Sequence, residues 1–123
     1  MIRRIALALL LAAPALAQSP RCGFGLGLEA LRGAERPLQA GIAAADLLPG
    51  RDAAEAAAAA LAEAAGRFEG CGCRQAAELV REATGLAEQA RSETGLDRLR
   101  RVLERARFSA GRARDGLGRR GCG

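Results

Sequence analysis

Four cysteines, Cys22, Cys71, Cys73 and Cys122, set the frame into which this chain can fold. One stands near each end of the expected mature protein and two bracket its midpoint. Helices running up and down between them would therefore deliver all four to one pole of a bundle. Behind an export signal, that spacing reads as a framework of two disulfides. It constrains architecture and compartment and says nothing of an activity.

The export signal is read from the first residues. Arg3 and Arg4 form a positive start, Ile5 to Leu16 an apolar run interrupted by Pro14, and Ala15-Leu16-Ala17 a small-x-small cleavage site. A membrane-spanning helix needs about 20 apolar residues, more than this run offers. A lipoprotein signal would place its cysteine directly after the small residues, whereas Cys22 lies beyond Gln18-Ser19-Pro20-Arg21. The expectation is a cleavable signal peptide over 1–17, a single helical-bundle domain over 18–123, no transmembrane anchor after cleavage, and a periplasmic or secreted location.

Hydrophobic residues make up 50% of the chain but aromatic residues only 2%, and much of the apolar content is alanine. Alanine favours helix yet buries little area, so local preference is strong and tertiary driving force weak. That is the condition under which covalent ties matter most. The large apolar residues, Phe24, Leu26, Leu48 and Phe108 among them, are counted as core. All 19 basic side chains are arginine, and the chain has no histidine, lysine, tyrosine or tryptophan. Without histidine there is no Ser-His or Cys-His nucleophile pair and no imidazole ligand; without lysine there is no Schiff base and no P-loop. No enzyme signature and no cofactor site emerge.

The clearest helix is expected from Thr94 to Leu117. There Leu96, Leu99, Leu103, Ala106, Ala110, Ala113 and Leu117 recur at alternating steps of three and four, with Thr94 and Asp97 as an N-terminal cap. A second is expected over Arg74–Arg91, its face made by Ala76, Leu79, Val80, Ala83, Leu86 and Ala90. A third opens with Asp52 and Glu55 after a Pro49-Gly50 turn and runs to Phe68, with a core face hidden among alanines. In the first mature segment, Phe24, Leu28, Leu31, Leu38, Ile42 and Ala45 keep the rhythm, but Glu35 falls on the seam and Pro37 interrupts it. The reading is a flexible Gly23 to Gly27 lead-in, a helix over Leu26–Gly33, a kink or split at Pro37, and a helix over Pro37–Leu48. Short connections make the whole an all-α, up-down-up-down bundle, stapled at one pole by two disulfides.

Four cysteines permit three pairings. A Cys71 to Cys73 bridge would be strained across one residue, so the favoured pattern joins Cys22 and Cys122 each to the Cys71-Gly72-Cys73 loop. Each bridge closes about fifty residues and contributes roughly 4 kcal/mol in the chain-entropy model. The competing reading makes Cys-Gly-Cys a redox or soft-metal site, but the common redox spacing is Cys-x-x-Cys on a βαβ scaffold, and no metal ligand set is assigned.

Charge is distributed unevenly. Residues 94–123 hold nine arginines, Arg98, Arg100, Arg101, Arg105, Arg107, Arg112, Arg114, Arg119 and Arg120, against Asp97, Glu104 and Asp115; residues 18–93 are net acidic. The simpler expectation is that this helix balances acidic neighbours such as Glu63, Glu69, Glu78, Glu82 and Glu88. The sharper one makes Arg98, Arg100, Arg101, Arg105, Arg107, Arg112 and Arg114 a face for an anionic partner: lipopolysaccharide, a membrane surface or an acidic protein. Nucleic acid fits poorly, because no aromatic platform interleaves the arginines. The functional expectation is a small exported non-enzymatic binding or accessory protein that engages an unknown protein or envelope component.

Overall fold

Alanine and leucine recur at helical spacing through most of the chain, and four α-helices result: α1 Phe24–Ile42, α2 Leu47–Gly70, α3 Arg74–Arg91 and α4 Leu96–Arg120. The computed structural model describes Cys22 and residues 24–122. The expected signal segment and Gly23 lie outside the described residues. Links 43–46, 71–73 and 92–95 are too short for anything but antiparallel neighbours. Each helix packs on the next, α1 closes against α4, and α2 touches α4 across the middle. The chain is an up-down-up-down bundle.

The leucine seam of α4 points inward as its spacing requires. Leu99, Leu103, Ala106, Ala110, Ala113 and Leu117 are buried. Across from it, α2 contributes Ala54, Ala57, Ala58, Leu61, Ala64, Ala65 and Phe68, which settles the face that its alanine run had hidden. On α3, Ala76, Val80, Ala83 and Ala90 are buried as expected, joined by Ala77 and Ala87. Leu79 and Leu86 pack at its margin.

Pro37 does not split the first helix. α1 runs unbroken through it from Phe24, so Phe24 to Gly27 of the expected flexible lead-in form its first turn, and it ends at Ile42 rather than Leu48. Proline inside a helix costs about 3 kcal/mol and leaves the carbonyl four residues back, here Gly33, without its donor. Gly33 is exposed, so water can satisfy that carbonyl. Leu31, Ala34 and Leu38 are buried on both sides of the proline, and burying a leucine fully is worth about 1.5–3 kcal/mol. Packing on either flank outweighs the lost bond.

The second expected opening also moves. α2 begins a turn earlier than Asp52, with Asp46 at the N-cap in extended conformation and without a side-chain capping bond. Pro49 lies inside the first turn, where its missing N–H has no helical partner to lose; the Gly50 N–H donates to the Asp46 carbonyl at 3.2 Å. At the start of α4, Gly95 rather than Thr94 holds the cap position, again without a side-chain bond.

An alanine-rich core holds together only if the helices come close, and glycines permit it at three places. A Cβ on Gly27 of α1 would lie 2.6 Å from Cε1 of Phe68, and one on Gly50 3.2 Å from Cδ2 of Leu99. A Cβ on Gly41 would collide with Leu103. Phe68 is fully buried and its ring cannot fold away. Gly27→Ala should therefore destabilise the protein by about 1–3 kcal/mol despite its better helix propensity. Gly85→Ala, on α3 with nothing within 4 Å of the added atom, should stabilise it by up to about 1 kcal/mol. Denaturant midpoints of the two variants, shifting in opposite directions, check the close approach of α1 and α2.

Candidate functional site

Glycine builds the cysteine pole before sulfur closes it. At the end of α2 the Cys73 N–H donates to the Phe68 carbonyl at 2.9 Å and the Gly72 N–H to the Glu69 carbonyl at 3.0 Å. Gly72 itself has φ +76°. This is a Schellman ending, with Gly72 in the left-handed position that only glycine enters without cost. At the end of α4, Gly121 has φ +70° and ψ −157°, an extended conformation open essentially to glycine alone, and donates to the Leu117 carbonyl at 2.9 Å. In both cases the next residue is a cysteine. Cys73 and Cys122 form a disulfide with a Cα–Cα distance of 4.7 Å across 49 residues of sequence. Cys22, exposed before α1, stands near Cys71.

All four cysteines thus occupy one pole. The bridge from Cys122 into the Cys71-Gly72-Cys73 loop is present, and the local Cys71–Cys73 alternative is overturned because Cys73 is joined to Cys122. The Gly-Cys pairs at 72–73 and 121–122 were the signal in the sequence that a helix cap and a bridge coincide. With Cys73 engaged, a site of four thiolates does not assemble, and among the described residues no three cysteine or carboxylate side chains converge as a ligand set. Peptide mapping of the unreduced protein should recover Cys73 with Cys122 and Cys22 with Cys71. Reduction should lower stability by roughly 4 kcal/mol for each bridge lost.

The opposite pole has no cysteine, and arginines tie it. Arg51 of α2 donates from Nε and Nη2 to the Glu93 carbonyl in the α3–α4 link, at 3.0 and 2.7 Å. Arg100 of α4 donates from Nη2 to the Ala44 carbonyl in the α1–α2 link. Each guanidinium therefore crosses from a helix to a link that its helix does not adjoin, and gives a charged donor to a backbone carbonyl there.

That placement changes the standing of the arginines on α4. Arg100 is half-buried and structural, with Asp97 at 3.8 Å, so it is withdrawn from the face expected for an anionic partner. Arg114 pairs with Glu35 of α1, which is exposed because Ala34, between Leu31 and Leu38, takes the inward place the expected rhythm gave to residue 35. Arg98 reaches Glu93 at 3.5 Å. Among the described residues no ion pair joins the acids expected to neutralise this helix to its arginines: Glu63 meets Arg67, Glu69 meets Arg81, and Glu82 lies against α4 but accepts its hydrogen bond there from Ser109, at 2.6 Å. Glu78 and Glu88 are exposed and form no ion pair among the described residues. Arg101, Arg105, Arg107, Arg112, Arg119 and Arg120 are exposed and have no carboxylate within 4.0 Å among the described residues.

Phe108 is the second correction. Counted as core, it is instead 68% exposed, with Leu26 and Leu48 also on the surface. The α4 seam had already implied this, since Ala106 and Ala110 straddle residue 108 on the inward face. Ser109, the buried polar residue beside it, was not singled out either. Phe108 forms one wall of an open groove of about 530 Å³ between α3 and α4, with Leu86 in the floor and Arg101, Arg105 and Arg112 around it.

No protein-family model matches this chain, and no curated protein or solved structure matches it significantly.

Arg100 and Arg107 make a matched pair for testing the two kinds of arginine. Arg100→Gln removes the charged donor from the Ala44 carbonyl and should cost about 1.5–3 kcal/mol. Arg107→Gln, on an exposed side chain without an ion pair, should change stability by less than about 0.5 kcal/mol. Urea denaturation of both variants with disulfides intact reads the difference.

Proposed function

We propose that this chain is a small exported, non-enzymatic binding protein of the cell envelope and that α4 is its binding face, directed at an anionic partner. The observation that carries the reading is the row of α4 arginines without an ion pair among the described residues, while Glu63 and Glu69 pair with arginines of α2 and α3 and Glu78 and Glu88 point to solvent. Exposed like charges on one helix repel one another, by about as much as an opposite pair attracts. A bound polyanion relieves that repulsion and gains charge-assisted hydrogen bonds from guanidinium forks suited to phosphate, sulfate or carboxylate. The export signal in the sequence and the disulfide framework support an oxidising compartment outside the cytoplasm. Among the described residues no helix is long and apolar enough to cross a membrane.

The test is retention of the disulfide-intact mature protein on an immobilised anionic polymer as salt is raised. Wild type should bind at low ionic strength and release steeply through the physiological range, where the Debye length falls to about 8 Å. The combined Arg101→Gln, Arg105→Gln, Arg112→Gln variant should keep its unfolding midpoint and lose retention. Retention by neither protein at low salt would remove the anionic-partner reading, and α4 would then be a solvated face.

A further inference from the structure

The groove around Phe108 asks for more than charge. Arg101, Arg105, Phe108 and Arg112 follow one another at helical steps of four, three and four, so all four side chains share one outward face of α4, over a length of about 16 Å. On the neighbouring helix, Leu86 extends the apolar strip beside Phe108. Two acids, Glu82 and Glu104, stand in the same groove as the three arginines, Glu82 also accepting a hydrogen bond from buried Ser109, so the groove keeps a net positive charge. A soluble anion would satisfy the guanidiniums and leave the aromatic ring in water. The shape is open to the outside rather than enclosed, so the ring and the cations can meet one surface together. The interfacial layer of a bilayer supplies both halves of the match, acyl chain beside anionic headgroup.

Resting on the reading of α4 as the anionic face, we propose that the partner is the surface of an anionic lipid bilayer, with Phe108 inserted among the acyl chains at headgroup depth and Arg101, Arg105 and Arg112 on the phosphates. Arginine near an anionic bilayer surface strengthens binding on the order of fivefold per residue, and an inserted phenylalanine by about tenfold. The bundle lies along the membrane on its α3–α4 side. The cysteine pole and the arginine-tied pole stay at the two ends, clear of the lipid.

The chain has no tryptophan, so Phe108→Trp introduces a single reporter at the point in question. With vesicles of equal phosphatidylglycerol and phosphatidylcholine, its emission should shift to the blue and be quenched by brominated acyl chains; with phosphatidylcholine alone it should not move. In vesicle co-sedimentation with the unmodified chain as reference, Phe108→Ala should bind about tenfold more weakly, and the triple arginine-to-glutamine variant about a hundredfold. Because Phe108 is exposed, both its variants should keep the wild-type unfolding midpoint. Salt-dependent binding to anionic polymer and vesicles alike, with no blue shift and no loss in Phe108→Ala, would overturn the bilayer while leaving an anionic partner in place. Absence of binding to any anionic surface would overturn both.

Discussion

A core built mainly of alanine can be stable only if its helices nearly touch, and the rest of this structure follows from that constraint. Alanine offers little area for burial, so each contact must be made at short range and many times over. Gly27, Gly41 and Gly50 remove the Cβ atoms that would hold helices apart, and Phe68, Leu99 and Leu103 fill the space thus opened. Close approach in turn leaves little tolerance at the ends. Small errors in how a link returns the chain would open the seams.

Both poles therefore carry cross-links, of different chemistry. At one, glycines with positive φ end α2 and α4 and present cysteines for a covalent tie. At the other, Arg51 and Arg100 reach across to carbonyls of the links. The first kind acts mainly by restricting the unfolded chain, the second by satisfying polar groups in the folded one. Arginine suits the second task because its planar fork is charged under all conditions and can hold two donors in one direction.

Much of this was legible in the sequence. The bounds of α3 were read as they stand, Arg74–Arg91, and the leucine and alanine rhythm of α4 gave its buried face because both are strong periodic signals. Pro37 and Pro49 misled for one reason: proline reports a local preference, and tertiary packing of Leu31, Ala34 and Leu38, or a first-turn position, overrides it. Phe108 misled because it was counted by residue type, although its place between two inward alanines already put it outside. The structural duty of Arg51 and Arg100 could not be read at all, since their acceptors are backbone carbonyls 42 and 56 residues away. A carbonyl has no letter in a sequence.

The bridge between Cys73 and Cys122 has a topological consequence. It closes α3, the 92–95 link and α4 into a covalent ring, with the link's residues Ser92, Thr94 and Gly95 exposed. Exposed link residues are where proteases cut folded proteins. A single cut there opens the ring without dividing the molecule, and the two helices remain partners on one chain of covalent bonds. Release of either requires a second cut or a reductant. The weakest stretch of backbone in this hairpin is thus one whose scission the protein can survive.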